Sequence, residues 1–213
     1  WKETYFKRPE DKKWYPGETL SVAIGQGAVT TTPVQVARSL AAVVNGGRVL
    51  KPRLVKRVVA ADGRVLLEAP AEPDVLRTVE LEPDVVSQLK AAMEGVVSDK
   101  RGTGHRAALP EKFHIGVGGK TGTAQVASRE SGVKEEDHAW FAGYAPADNP
   151  QVVAVALIEN GGHGGVSAAP AVRKVLAAYF GVPEEVEPEP KQEPKKQKPK
   201  VTVAGRPRAT GEG

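Results

Sequence analysis

The sequence contains no cysteine, a single methionine and few aromatic residues. Without cysteine the chain forms no disulfide and no thiolate metal site. Phe, Trp and Tyr make up 5% of the residues, too few for the stacking platforms with which proteins bind single-stranded nucleic acid. The formal net charge of +4 is modest, and much of the basic excess lies near the C-terminal end. We therefore expect no nucleic-acid partner.

Long hydrophobic runs and an initiator methionine are also absent. No apolar stretch reaches the roughly 18 residues that a membrane-spanning helix needs, and no signal-peptide pattern follows Trp1. Because the sequence opens abruptly, we expect it to be part of a longer protein. Its 213 residues, 40% of them hydrophobic, fit one folded domain with a buried core.

Helix boundaries are marked by Thr, Pro and Gly. Thr32, Pro33 and Gln35 supply an N-cap, a first-position proline and a capping box. Gly46-Gly47 ends this helix. Pro83 opens a second helix, in which the apolar residues share one side at helical spacing. They are Val85, Leu89, Ala92 and Val96.

Strands are predicted in two places. Asp62-Gly63 lies between two apolar runs, Arg53–Ala60 and Arg64–Leu67, which predicts a β-hairpin. Farther along the chain, three extended segments predict an antiparallel meander. These segments are Phe113–Val126, Ala139–Ala145 and Val152–Ile158.

The predicted fold class is α+β, an antiparallel sheet with helices packed on it, within residues 1–181. Pro170 begins the last helix and Gly181 ends it. From Pro183 onward the chain alternates Pro, Glu, Lys and Gln with almost no apolar residue, so residues 182–213 are predicted to be a disordered tail. Its lysines suit contact with anionic lipid or wall polymer, although we favour a merely solvated segment.

The segment Lys120-Thr121-Gly122-Thr123 carries the clearest chemical signal. Glycine inside a strand marks a place where another backbone or a ligand comes close. Alternation puts Thr121 and Thr123 on one face and Lys120 on the other, from which its stem can curl past Gly122. A lysine with alternating hydroxyls suits a carboxylate. The K-T-G string is short, so its interpretation depends on the surrounding sequence.

Several further segments occur in a consistent order around K-T-G. They are Gly17–Thr19, Ile24–Gly27, Thr31–Gln35, Asn45–Gly47, Gly119–Gln125 and Trp140–Pro146. Over roughly residues 14–181 the chain thus resembles the C-terminal half of a class B penicillin-binding protein transpeptidase domain, which has a serine β-lactamase-like fold. Glu159–Gly165, after the last strand, is similar to the elongation-specific branch, penicillin-binding protein 2.

The resemblance implies a peptidoglycan D,D-transpeptidase that cross-links stem peptides by serine acyl transfer during cell elongation. It implies that Lys120 and Thr123 are catalytic: Lys120 supports a hydroxyl network, and the Thr123 N–H is an oxyanion donor. It also implies that substrate is bound by Lys120, Thr121, Gly122 and Thr123. The two threonine hydroxyls would hold the terminal carboxylate, and Gly122 would leave space for the substrate backbone.

No segment supplies the family's nucleophile. Ser87–Lys90 matches S-x-x-K, but Ser87 lies opposite the apolar side of its predicted helix and so faces water. Ser131–Lys134 also matches, in a polar connection, and Ser98–Lys100 has Lys where S-x-N requires Asn. We interpret these matches as coincidences. The chain alone is therefore expected to be inactive.

We expect no metal and no cofactor. The four histidines, at positions 105, 114, 138 and 163, have no metal-ligand spacing. The ligands that the resemblance implies are peptidoglycan stem peptides and β-lactams. It further implies a parent anchored in the bacterial cytoplasmic membrane, with this domain on the outer (periplasmic or extracellular) face. An integral-membrane glycan polymerase and elongation-complex proteins would be its partners.

Two other functions fit the same strand. A D,D-carboxypeptidase or a β-lactamase-type hydrolase would share K-T-G, although the flanking segments fit a large transpeptidase better. A non-catalytic penicillin-recognising scaffold would keep the fold without the serine. The sequence leaves these alternatives open.

Overall fold

The computed structural model describes residues 2–27, 30–125 and 136–183. The Ser131–Lys134 match, most of the predicted polar connection, the end of the predicted strand at Val126 and the predicted tail from residue 184 lie outside the described residues. In chain order the elements are α1 (Lys2–Tyr5), α2 (Pro9–Lys12), α3 (Pro16–Ala23), α4 (Pro33–Val44), β1 (Arg48–Leu50), β2 (Arg57–Val59), β3 (Val65–Glu68), β4 (Val75–Thr78), α5 (Pro83–Ser98), β5 (Gly118–Ala124), β6 (His138–Ala145), β7 (Val152–Ile158) and α6 (Gly164–Tyr179), with 3-10 turns at His105–Ala107 and Glu111–Phe113.

The predicted α+β architecture and the three-stranded meander are confirmed. Strands β5, β6 and β7 pair antiparallel in that order. Lys120 of β5 lies opposite Ala142 of β6, and Ala142 lies opposite Val155 of β7. β6 is therefore central, and β5 is an edge strand within the described part of the chain.

The core lies between this sheet and α6. Phe141 of β6 is fully buried, together with Val172 and Leu176 of α6. A Cβ atom added to Gly119 would lie 2.5 Å from the Phe141 ring, and one added to Gly143 would lie 2.9 Å from it. Glycine at these two positions therefore makes space for an aromatic ring of the core, and the glycine-rich composition of β5 has a packing cause.

The predicted start of α4 is confirmed. The Thr32 hydroxyl accepts from the Gln35 N–H, and the Thr32 N–H donates to the Gln35 side chain. Gly46 and Gly47, both with positive φ, follow its end. The hairpin around Asp62-Gly63 is confirmed as β2 and β3. The pairing of β1 with β4 was not predicted, because the two short strands lie on either side of that hairpin.

Two predicted boundaries are wrong. The strand predicted from Phe113 begins at Gly118, because Phe113 ends a 3-10 turn and His114 takes a left-handed conformation with φ of 53°. Helix α6 begins at Gly164, so Pro170 lies inside it. Proline has no N–H for the carbonyl four residues earlier. Arg106 donates a side-chain hydrogen bond to that carbonyl, Val166 O, at 3.4 Å.

The predicted buried side of α5 is also wrong. Val85 is 53% exposed and Leu89 is 46% exposed, whereas Val97 is buried. The helix packs against β5 with a side that is rotated by about one residue, or about 100°, from the predicted one. The residues on that side are Val86, Lys90 and Met93, which are half-buried, and Val97. Beyond α6, Val182 packs into the core, one residue past the predicted boundary at 181.

No described helix has the length and apolar character needed to cross a membrane.

Two valines of α6 test which face of the helix stabilises the fold. Val172→Ala removes two methyl groups from a site that is 1% exposed, and we expect the free energy of unfolding to fall by about 2 kcal/mol. Val175→Ala is the matched control, because Val175 is 54% exposed. Its effect should stay within about 0.5 kcal/mol. Urea unfolding measures both, and equal losses would contradict the packing described here.

Candidate active site on the K-T-G strand

The side chains of the K-T-G segment alternate across β5 as predicted. Thr121 lies opposite Phe141, and Thr123 opposite Ala139, on the face that α6 covers. Lys120 lies on the other face and is exposed, while both threonines are half-buried. The Lys120 ammonium and the two threonine hydroxyls therefore project from opposite faces of β5.

The backbone groups of Thr121 and Thr123 point to the edge of the sheet that no described strand covers. In an antiparallel ladder the N–H and C=O of one residue point the same way, and neighbouring residues alternate. A Cβ atom added to Gly143 of β6 would lie 3.3 Å from the Gly118 oxygen, so the Gly118 carbonyl points toward β6. By alternation, the even-numbered residues of β5 pair with β6. Thr121 and Thr123 present their N–H and C=O groups outward.

Two side chains donate hydrogen bonds to these outward carbonyls. Lys120 Nζ donates to Thr121 O at 2.8 Å. Gln26 Nε2 donates to Thr123 O at 3.2 Å from a loop that lies 97 positions earlier. The role of Gln26 was not predicted, although Ile24–Gly27 was among the segments that carried the family resemblance.

A second residue that sequence reasoning missed is Thr103. Its hydroxyl lies 3.0 Å from the Thr121 hydroxyl, so the two form a hydrogen bond that orients the Thr121 side chain. A Cβ atom added to the next residue, Gly104, would lie 2.7 Å from the Phe141 ring. The same ring thus brings the Thr103 loop and the K-T-G strand together. The glycines on both sides of Thr103 were the available sequence signal.

The N-terminal end of α6 lies against the K-T-G strand. A Cβ atom added to Gly164 would lie 2.5 Å from Gly122 O and would also overlap Trp140 O. One added to Gly165 would overlap Thr103 O. The positive end of a helix macrodipole is favourable for an anion. The Lys120 ammonium and the two threonine hydroxyls belong to the same strand, and groups of these kinds can together hold an anion.

The Ser87–Lys90 string does not form a nucleophile site. Ser87 is exposed and lines an open groove of about 570 Å³ beside Glu94. Lys90 Nζ donates to Asp148 O in the β6–β7 turn, at 3.2 Å. Ser98 donates to Glu94 O, so the third match is an ordinary helix contact. The helix has no shielded pair of Ser and Lys at these positions.

Tyr144 of β6 is fully buried, and its side chain reaches α5. Its hydroxyl donates to Lys90 O at 3.4 Å. Burial raises the pKa of the Tyr144 hydroxyl, and the negative charge of Glu94 raises it further. The phenol therefore stays protonated and serves as a structural donor. Among the described residues, no three His, Cys, Asp or Glu side chains are grouped as metal ligands.

Comparisons with known proteins show the family. The penicillin-binding protein transpeptidase domain matches residues 7–177. The chain belongs to this family. The peptidoglycan D,D-transpeptidase MrdA of Haemophilus influenzae is 42% identical over 191 residues, which cover 84% of this chain and 28% of that protein. The Escherichia coli K12 protein of the same name is 33% identical over 175 residues, covering 77% and 26%.

Solved structures of this family have the same fold. A crystal structure of Pseudomonas aeruginosa PBP2 in complex with WCK 5153 matches with a TM-score of 0.64 and 34% identity, over 80% of this chain and 34% of that one. Penicillin-binding protein 3 from Mycobacterium tuberculosis, complexed with ampicillin, matches with a TM-score of 0.61 and 30% identity. The predicted likeness to penicillin-binding protein 2 is confirmed. The chain spans less than a third of the length of the MrdA relatives.

Glycine at the start of α6 should be required for the position of the K-T-G strand. Gly164→Ala places a methyl group against the backbone of β5 and β6, and we expect a loss of about 1–3 kcal/mol in the free energy of unfolding. Gly95→Ala, within α5, meets nothing within 4 Å and should stabilise by up to about 1 kcal/mol. Urea unfolding of the two variants measures the difference. A stable Gly164→Ala variant would mean that α6 starts farther from the strand.

Proposed function

We propose that this chain is the K-T-G part of a peptidoglycan D,D-transpeptidase of the penicillin-binding protein 2 type, active during cell elongation. The supporting observation is the outward edge of β5, where the backbone groups of Thr121 and Thr123 lie beside the Lys120 ammonium. An extended peptide can pair with such an edge. Its terminal carboxylate would meet the threonine hydroxyls and the positive end of α6.

The reaction divides between this strand and a serine from another part of the longer parent. The serine oxygen forms a bond to the penultimate D-Ala carbonyl carbon, and the C–N bond to the terminal D-Ala breaks. The serine proton passes through a base to the leaving amine. An amine of a neighbouring stem then attacks the acyl-enzyme, so that an amide forms, the serine regains its proton and the two stems are joined. The Thr123 N–H would stabilise the oxyanion in both steps.

Our proposal for the parent protein extends beyond the described residues. We propose a membrane anchor upstream, with this domain on the outer face of the bacterial cytoplasmic membrane. An integral-membrane glycan polymerase and elongation-complex proteins would be its partners. We further propose that residues 1–181, with Val182 packed against their core, belong to the transpeptidase domain and that the rest of the predicted segment 182–213 forms a tail outside it. The composition of the tail supports this division.

Fluorescent penicillin distinguishes this function from its alternatives. A transpeptidase parent should become covalently labelled and keep the label, and with a peptide ending in D-Ala-D-Ala as donor it should transfer the acyl group to an added amine acceptor. Fast loss of the penicillin label would instead identify a β-lactamase-type enzyme, and hydrolysis of the peptide donor without transfer would identify a carboxypeptidase. A scaffold without a serine would stay unlabelled. The assay is read on a denaturing gel and by mass spectrometry of the product.

Lys120 should be needed for acylation and not for folding. In the parent, Lys120→Ala removes the exposed ammonium beside the carboxylate position, and we expect the acylation rate to fall by about 100-fold or more. Lys100→Ala, in an exposed loop, is the charge-matched control and should leave the rate unchanged. Stopped-flow or gel-based labelling with fluorescent penicillin gives both rates. Native-rate acylation of Lys120→Ala would disprove the assignment of β5.

A further inference from the structure

Among the described residues, two side chains occupy acceptors along the edge of β5 that does not pair with β6. Thr121 O accepts from Lys120 and Thr123 O accepts from Gln26. Exposed strand edges attract further strands, and side-chain donors at an edge compete with such pairing. Lys120 belongs to β5 itself, whereas Gln26 is brought from a separate loop. The structure therefore contains a specific contact at the carbonyl of the proposed oxyanion residue.

The loop that carries Gln26 is built to hold this side chain. Gly25 and Gly27 have φ values of 75° and 89°, a conformation that favours glycine. Between them the Gln26 N–H donates to Ser21 O of α3 at 2.8 Å, which fixes the backbone of the loop. The side chain is half-buried and extends to β5. Gln26 is thus anchored at its backbone, with a primary amide directed at one acceptor.

We propose that Gln26 stands in for the amide N–H of a bound acyl donor at the Thr123 carbonyl and is displaced by it. Gln26 would then be a specificity-determining residue. This inference rests on the proposed function. A peptide laid along β5 directs alternate N–H groups at the outward carbonyls, and the one that meets Thr123 O approaches from the side on which Gln26 donates. When the ligand binds, its amide N–H replaces the Gln26 donor at Thr123 O. The ligand hydrogen bond therefore contributes less binding free energy than it would at a carbonyl with no donor.

A pair of matched ligands isolates this exchange. Benzylpenicillin carries a side-chain amide N–H, and its ester analogue, with oxygen in place of that N–H, lacks the hydrogen-bond donor at nearly the same size. The measured quantity is a ratio: the second-order acylation rate constant of benzylpenicillin divided by that of the analogue without the donor, both with the parent enzyme. In Gln26→Ala the Thr123 carbonyl has no internal donor, so the N–H ligand gains a full hydrogen bond. We expect the ratio to rise by about fivefold.

Two variants control for volume and for general effects. Gln26→Glu keeps the size of the side chain but replaces the donor with an acceptor, and its ratio should rise as in Gln26→Ala. Gln88→Ala removes an exposed glutamine of α5 and should leave the ratio at the wild-type value. Thermal unfolding of each variant confirms that the comparison is made on folded protein.

The remaining outcomes overturn the inference. If both rate constants fall together in Gln26→Ala, the residue only braces the strand. If the ratio rises in Gln26→Ala and not in Gln26→Glu, relief of crowding is the cause, and a lower ratio would mean that Gln26 assists the N–H ligand. Failure of the wild-type parent to react with either penicillin would refute the proposed function, which is a separate result.

Discussion

The Phe141 ring lies where the three-stranded sheet, α6 and the Thr103 loop meet. It fills the space that a side chain would need at three neighbouring glycines. Gly119, Gly143 and Gly104 surround it, and a Cβ atom at each would come within 2.9 Å of the ring. The backbones of β5 and of the Thr103 loop consequently approach the core to a fixed depth. This constraint brings the Thr121 and Thr103 hydroxyls within hydrogen-bond distance.

The same packing determines which backbone groups are available to a ligand. Because Gly118 and the other even-numbered residues of β5 pair with β6, the outward groups belong to Thr121 and Thr123. A shift of one residue in register would turn these groups toward β6 and expose those of Lys120 and Gly122 instead. The packing of Phe141 thus determines which backbone N–H and C=O groups lie at the edge of β5, although its ring lies on the face of the sheet that α6 covers.

Local signals in the sequence predicted much of the fold. The Thr32 cap, the Asp62-Gly63 turn and the two strands after the K-T-G segment depend on neighbours a few residues away, and each is confirmed. The start of α6 was missed because a proline usually marks the first turn of a helix. The hydrogen bond that Pro170 cannot donate to Val166 O is replaced by one from Arg106, which lies 60 residues before Val166.

The contacts around the candidate site were the least predictable from sequence. Alternation along β5 follows from strand geometry, so the faces of Thr121 and Lys120 could be derived. The partners of this strand come from distant segments: Gln26 from 97 positions earlier, Thr103 from 18 positions earlier, and α6 from beyond β7. The spacing of apolar residues along the sequence does not indicate contacts between such distant segments. The family resemblance marked Ile24–Gly27 as a recurring segment but assigned it no role.

These contacts also show how β5 is held in place within the described part of the chain. Gln26, Thr103 and the N-terminal end of α6 all belong to the described part of this chain, and together they hold β5 from its edge and from one face. Preorganised donors stabilise developing charge because they need not reorient during the reaction. The groups that we propose for carboxylate binding and for the oxyanion are therefore positioned by this part of the protein. In that proposal the serine would meet a strand whose geometry is already set.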